Sequence, residues 1–406
     1  MTAPMSILLV AAANATTGGG ERHTADLACA LADRGVRLGI AAPAGGDLAR
    51  IANTIGADYF PLPLDGALRP KTIRALRGVI CQFAPDIVHA QGARAAAFAR
   101  PADPQARRRL IYTVHGIHAD QGGPVRFAKL ALERVLRRRT AQFITVCAAD
   151  KERGAHLRLL DPQRSRVIYN GIAVHTEEAL KALASESAAF REEAGTAPDT
   201  PLLLHVGRIC PQKNQPQLLE AFSAVLAEAT LAPQALPAQP PARPLAPRAI
   251  LALISAGSAQ QRSELAACIE RLGLTSSVRL LPPRPDLTAA FVAADLFVLP
   301  SLWEGFPYTI IEAADAGCAI VTTDVGGNKE AILPPQEGWL APPDDLSALT
   351  EVLTEAIGNP EQRQQRAARA KAHVDAAFTL EAMVEQTVAC YQDVIDSVQE
   401  EERAHV

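Results

Sequence analysis

At 406 residues the chain has room for two domains of ordinary size, and its net charge of −4 excludes an overall electrostatic footprint for nucleic acid. Hydrophobic residues make up 48% of it and aromatics only 4%. The core must therefore be built of Ala, Leu, Val and Ile, which suits buried parallel strands covered by helices.

Seven cysteines, from Cys29 to Cys390, stand singly with no C-x-x-C pair, as expected of reduced, structural thiols in a cytoplasmic protein. The N-terminal run MTAPMSILLVAAANA has no Lys or Arg ahead of its short apolar core. It reads as a first strand, Ser6 to Val10, and not as a signal peptide. No run approaches the roughly 18 apolar residues that a membrane helix needs.

A loop of small residues from Asn14 ends in Gly18-Gly19-Gly20, and Glu21-Arg22-His23 opens a helix to about Ala32. Glycines between a strand and a helix let backbone approach a ligand closely, although many such loops are only tight turns. The spacing is not G-x-G-x-x-G, so a dinucleotide fingerprint is not supported. Strands are expected at Arg37 to Ala42, Tyr59 to Pro61, Asp86 to Ala90, Ile111 to Val114 and Gln142 to Val146. A helix is expected from Lys71 to Phe83, with Pro70 near its start. His115 follows Val114 and precedes Gly116, at a strand's carboxyl end, where doubly wound sheets bind ligands. A turn histidine satisfied by backbone fits the same position. His118 is a weaker candidate.

From Arg94 to Thr140 there are eleven Lys or Arg against three Asp or Glu, a local charge of +8 that leaves −12 on the rest. Residues 126–139 read as a basic amphipathic helix, and Lys71, Arg74 and Arg77 give helix 71–77 a second basic face. Such faces fit either solvent or an anionic membrane surface, which would make the protein peripheral on the inner face of the membrane. Phe127 is the sole aromatic within these two faces, too few for the base stacking that would suit nucleic acid.

In the second half a strand from Pro201 to Val206 leads into Gly207-Arg208, a loop holding Lys213, and a helix opened by Pro216. Residues 230–249 hold six prolines in an Ala-rich segment and read as an exposed insertion. Strands at Ile250 to Ile254 and Val278 to Leu281 flank a helix from Ser263 to Leu272. Then comes LFVLPSLWEGFPYTIIEAADAGCAIVTTDVGGNKE, Leu296 to Glu330. It reads as a buried strand, a loop through Glu304, Gly305, Phe306 and Pro307, a helix from Tyr308 to about Ala316, and a second strand from Ala319 ending at Gly326-Gly327. Loop amides before a helix suit an anion, and carboxylates accept from sugar hydroxyls. Taken alone, Glu304 and Glu312 also fit a capping carboxylate and a solvated one. A last long helix is expected from Leu380 to Val398.

The stretch around Glu304-Gly305-Phe306-Pro307, Glu312-Ala313, Gly317 and Gly326-Gly327 resembles the E-x7-E signature of retaining GT-B glycosyltransferases, most closely glycosyltransferase family 4. The D-I-V-H strand at Asp86 to His89, T-V-H-G at His115, V-I-Y-N-G-I at Val167 to Ile172 and G-R with Lys213 resemble that family's patterns as well. Asp315 stands where a more apolar stretch is usual, and Asn214 replaces a Gly.

The resemblance implies an α/β fold of two doubly wound Rossmann-like domains facing across a cleft. It places an acceptor-side domain at 1–178, a hinge near 173–185 and a nucleotide-sugar domain at 179–379, with the C-terminal helix of about 380–406 returning to the first domain. It implies that His115 and Glu304 are catalytic, orienting the donor sugar. Gly19, Arg208, Lys213, Gly305, Phe306, Pro307 and Glu312 would bind donor, Arg208 and Lys213 on the diphosphate and Glu312 on the ribose. No D-x-D occurs, so no metal and no cofactor is expected beyond the nucleotide sugar itself. The implied reaction is hexose transfer with retention to a glycan or lipid-linked acceptor in surface polysaccharide synthesis. A glutamate nucleophile and front-face attack assisted by the leaving phosphate both fit retention. The competing readings are another GT-B sugar-nucleotide enzyme such as an epimerase, and a non-catalytic scaffold.

Overall fold

Alternating Leu, Ile and Val in short runs build the two sheets of a computed structural model, which describes residues 5–13, 18–117, 124–197, 199–231 and 249–404. The first sheet contains β1 (Ser6–Ala11), β2 (Arg37–Ala42), β3 (Asp58–Pro61), β4 (Ile87–Gln91), β5 (Leu110–Val114), β6 (Gln142–Thr145) and β7 (Ser165–Val167). Its order is β3-β2-β1-β4-β5-β6-β7, and every neighbouring pair is parallel. The second contains β8 (Leu202–Arg208), β9 (Ile250–Ala256), β10 (Val278–Leu281), β11 (Leu296–Leu299), β12 (Ala319–Thr323) and β13 (Trp339–Ala341). Its order is β10-β9-β8-β11-β12-β13, again all parallel.

Both sheets are buried on two faces, which explains why their strands read as continuous apolar runs. In the first, Ile7 and Leu9 pack into one core while Leu8 and Val10 pack into the other, as the two-residue period requires. In the second sheet, Leu203, Leu251, Leu253, Val298 and Val321 form one cluster with the covering helices. In each sheet the strand order reverses once, between β1 and β4 and between β8 and β11. Open α/β sheets bind ligands beyond the carboxyl ends of the strands at such reversals.

The chain divides into one unit of Met1–Gly171 with Leu380–Val406 and another of Ile172–Thr379. The boundary thus precedes the 178/179 break read from the sequence. Residues from Ile172 on belong to the second unit because Ile172 donates its N–H to Phe378 O at 2.9 Å and bridges Thr379. The expected hinge at 173–185 is largely helical. Glu177–Ala182 starts at Thr176, whose side chain accepts from Ala179 N, and Ala184–Glu193 follows directly. In the first unit, helix Leu380–Ala404 buries Met383, Val384, Cys390, Tyr391 and Val394.

Residues 14–17, His118 and residues 232–248 of the proline-rich insertion lie outside the described residues, as do the side chains of Arg126 and Lys129. Much of the remaining basic stretch is spent internally. Buried Arg100 pairs with Glu133, Arg109 with Asp103, and Arg134, Arg137 and Arg139 donate to main-chain carbonyls. Arg77 donates to the carbonyls of Ala102 and Pro101. Among the described residues, no helix is long and apolar enough to cross a membrane, and no cluster of His, Cys, Asp and Glu could hold a metal.

Candidate active site

In the second unit the functional side chains come from the strands that flank the reversal. β8 ends at Arg208, a one-turn 3-10 helix Pro211–Lys213 follows, and Asn214 takes the left-handed conformation (φ 50°) before helix Gln215–Leu231. Asn tolerates that conformation better than most residues, which accounts for its standing where the resembled family has Gly. The turn brings Lys213 back over its own strand. A Cβ on Gly207 would lie 3.1 Å from Lys213 Cγ and 3.3 Å from His205 Nε2. Gly207 therefore leaves room for the lysine stem.

Lys213 Nζ lies 2.5 Å from Glu304 Oε1, in the loop after β11. Ser301 Oγ donates to the same oxygen at 2.7 Å, and Gln212 Nε2 donates to Oε2 at 3.3 Å and to Trp303 O at 2.8 Å. The side chains of Lys213 and Glu304 are only 12% and 9% exposed, so the ion pair is nearly desolvated. The backbone repeats the link, since Leu302 donates its N–H to Gln212 O at 2.8 Å. His205 sits beneath, its Nδ1 2.9 Å from Val298 O, and burial with the nearby Lys213 charge lowers its pKa to about 4.

Arg208 is exposed, and its side chain has no hydrogen-bond or ion-pair partner among the described residues; its carbonyl accepts from Gln215 Nε2 at 2.7 Å. Gly305, Phe306 and Pro307 are buried. The Phe306 ring lies edge-on to Phe378, 4.9 Å away, so its side chain serves the core. Gly305 O accepts from Gly327 N at 2.6 Å, which seats the loop on the Gly326-Gly327 turn. Pro307 caps helix Tyr308–Asp315, and Glu312 stands half-buried in that helix.

The first unit holds the other predicted residues. Helix Gly19–Asp33 starts two residues earlier than expected, at Gly19 itself, and a Cβ on Gly20 would lie 3.0 Å from His115 Cδ2. His115 Nε2 donates to Gln91 Oε1 at 2.8 Å, which defines its tautomer. Its ring meets His23 edge-on at 4.9 Å. His23 Nδ1 is 3.1 Å from Asn170 Oδ1, and His89 lies between Tyr391 OH at 2.6 Å and Thr113 Oγ1 at 2.7 Å. Burial, then the neighbouring rings of His23 and His89, hold the His115 pKa well below the ordinary histidine value. Burial lowers His23 to about 4 and His89 to about 3.

Gln212, Ser301, His205, Gln91 and His23 were not singled out in the sequence. His205 lies inside β8, whereas the other four are polar residues at or just beyond the carboxyl end of a strand or in the opening turns of the helix that follows. That shared position is the signal by which they could have been found.

A cation pair and a fixed carboxylate at one reversal, with a neutral histidine cluster at the other, define a class of α/β proteins suited to anionic, hydroxyl-rich ligands. Residues 186–373 match the model of glycosyl transferases group 1, and residues 17–176 match that of Glycosyltransferase Family 4. Each half of the chain thus matches a glycosyltransferase model, and the fold is that of the GT-B glycosyltransferases. It is 27% identical over 293 residues to EpsD of Bacillus subtilis, named as a glycosyltransferase, covering 71% of each chain. It is 25% identical over 247 residues to the UDP-Gal:alpha-D-GlcNAc-diphosphoundecaprenol alpha-1,3-galactosyltransferase of Escherichia coli, covering 60% of this chain and 59% of that one. Among solved structures, Anabaena HepE in complex with UDP superposes with a TM-score of 0.77 at 21% identity, over 96% of this chain and 100% of that one.

Proposed function

We propose that the protein is a retaining hexosyltransferase that uses a nucleotide diphosphate sugar, without a metal, and glycosylates a glycan or lipid-linked acceptor in surface polysaccharide synthesis. The observation that carries this reading is the desolvated ion pair of Lys213 with Glu304 at the β8–β11 reversal, where β8 ends in the exposed Arg208. As the glycosidic C–O bond breaks, negative charge gathers on the leaving diphosphate. Arg208 and Lys213 neutralise it in place of a metal ion, and the dry setting of Lys213 strengthens its share. Glu304 is prepositioned by Ser301 and Gln212 to accept from donor-sugar hydroxyls. Glu312 takes the ribose hydroxyls, and His115, neutral and fixed by Gln91, serves the sugar.

The names of the relatives support this reading. HepE binds UDP, and the Escherichia coli relative transfers galactose from UDP-Gal to a diphosphoundecaprenol-linked sugar.

The test is a metal-free binding and transfer screen with UDP, GDP and ADP sugars. One nucleotide should bind, and Arg208→Ala should abolish most of that binding without lowering the thermal midpoint. Glu304→Ala should reduce turnover by about 10²–10³-fold. Binding of no nucleotide sugar, or near-normal transfer by both variants, sinks the proposal.

A further inference from the structure

A second concave site lies in the first unit, at the opposite end of its sheet from His115. The cavity is about 670 Å³ and opens beside the amino ends of β5, β6 and β7. Its walls carry five guanidinium groups, Arg107, Arg108, Arg138, Arg164 and Arg166. Three carboxylates, Asp161, Asp393 and Glu401, line it with them, a lining charge of about +2 that Glu402, paired with Arg108 from outside the lining, brings to about +1. Helix Leu380–Ala404 lays Cys390, Val394 and Val398 along one side, so part of the lining is apolar.

The pairing is uneven. Arg108 reaches Glu401 at 3.4 Å and Glu402 at 3.3 Å, Arg164 reaches Asp161 at 3.1 Å, and Arg166 pairs with Asp393. Arg107 and Arg138 are exposed and have no hydrogen-bond or ion-pair partner among the described residues. Half-exposed ion pairs contribute little and exchange partners readily. A phosphate oxygen pair offers each guanidinium fork a stronger, two-bond contact than a half-exposed carboxylate does. Arginines drawn from four segments into one concavity, with carboxylates too few to neutralise them, are otherwise a cost in mutual repulsion.

We propose that this cavity is a second anion site, distinct from the donor site, that takes a phosphate ester or diphosphate group carrying about two negative charges. The group enters between Arg107 and Arg138 and displaces Asp393 and Glu401 from Arg166 and Arg108. Its source is either a soluble phosphorylated compound or a lipid headgroup.

The experiment is calorimetric titration of inorganic diphosphate into the full chain, in an Arg208→Ala background that silences the donor site. One saturable site is expected, weakened about tenfold or more by adding R107S and R138S. Both substituted arginines are exposed and unpartnered, so the thermal midpoint should not move. Co-sedimentation with vesicles of phosphatidylcholine and phosphatidic acid in equal parts, against phosphatidylcholine alone, separates the sources. Vesicle binding lost in R107S/R138S assigns a lipid headgroup, and diphosphate binding without vesicle binding assigns a soluble ligand. Binding indifferent to R107S/R138S, or no binding of either probe, overturns the proposal.

Discussion

Glu304 has both carboxylate oxygens occupied by donors from its own unit, and that has a consequence for stability as well as for transfer. Reading the residue as a loop carboxylate leads to the expectation that its removal leaves folding untouched. The structure alters that expectation, because Lys213 is only 12% exposed and Glu304 is its ion-pair partner. Glu304→Ala would strand a nearly buried ammonium and two hydrogen-bond donors, Ser301 and Gln212. We expect a loss of about 1–3 kcal/mol by denaturant unfolding, scaled down from fully buried pairs because some water reaches this one. Glu304→Gln should restore part of it, and adding Lys213→Met to Glu304→Ala should restore more. Equal stability of Glu304→Ala and the parent would show that water already solvates the pair. Arg208 makes the opposite case: exposed and without a side-chain partner among the described residues, it should be removable at no cost to the fold.

At the scale of elements, the loop from Ser301 to Pro307 is held from two sides. Thr323 Oγ1 donates to Ser301 O at 2.6 Å, and Gly327 donates to Gly305 O. Gly326, at φ 51°, passes so close that a Cβ would lie 2.0 Å from Glu304 O. No side chain fits there, and the conformation is itself unfavourable for other residues. Gly326→Ala should therefore displace the Glu304 loop. It should lower the thermal midpoint by more than about 5 °C and reduce donor binding together with it. An alanine variant with parental stability and affinity would mean the loop is free to move aside. The elements that sequence reading passed over share a cause. Helices Gly92–Ala102 and Pro360–Ala377 bury mainly small residues, such as Ala95, Ala99, Ala367 and Ala370, so they show little apolar contrast. The second does carry start signals, Asn359 accepting from Gln362 N and Pro360 at the first turn. The edge strands β7 and β13 are three residues each, too short for a period of two to register.

Across the whole molecule, each unit has its own apolar cores, and each buries neutral histidines. His23 and His89 belong to the first unit and His205 to the second. Their folded pKa values, about 4, 3 and 4, lie below the ordinary histidine value of 6.5. Below 6.5 the unfolded chain takes up protons that the native state refuses, so the stability is complete above 6.5 and falls as pH drops towards the folded values. Each histidine contributes a slope of up to about 1.4 kcal/mol per pH unit in that window. Thermal midpoints should fall between about pH 7 and about pH 5, before most carboxylates titrate. A flat profile across that range would mean these histidines gain water or partners on protonation.

The sequence by itself determined the class. Runs such as Ser6–Ala11 and Leu296–Leu299 are apolar enough to be buried on both faces, and helices alternating with them leave a doubly wound parallel sheet as the economical solution. It also placed Arg208, Lys213 and Glu304 in loops beyond strand ends, and Glu312 inside the helix that follows Glu304. Only the tertiary structure decided that Lys213 and Glu304, separated by 91 residues, share one desolvated contact. It likewise decided that Gln91, His23 and His89 surround His115, and that five arginines gather at the far end of the first sheet. The reason is physical. Periodicity reports which face of an element is buried, which is a local property. Which charges meet depends on strand order and on the turns between, and neither leaves a periodic mark in the chain.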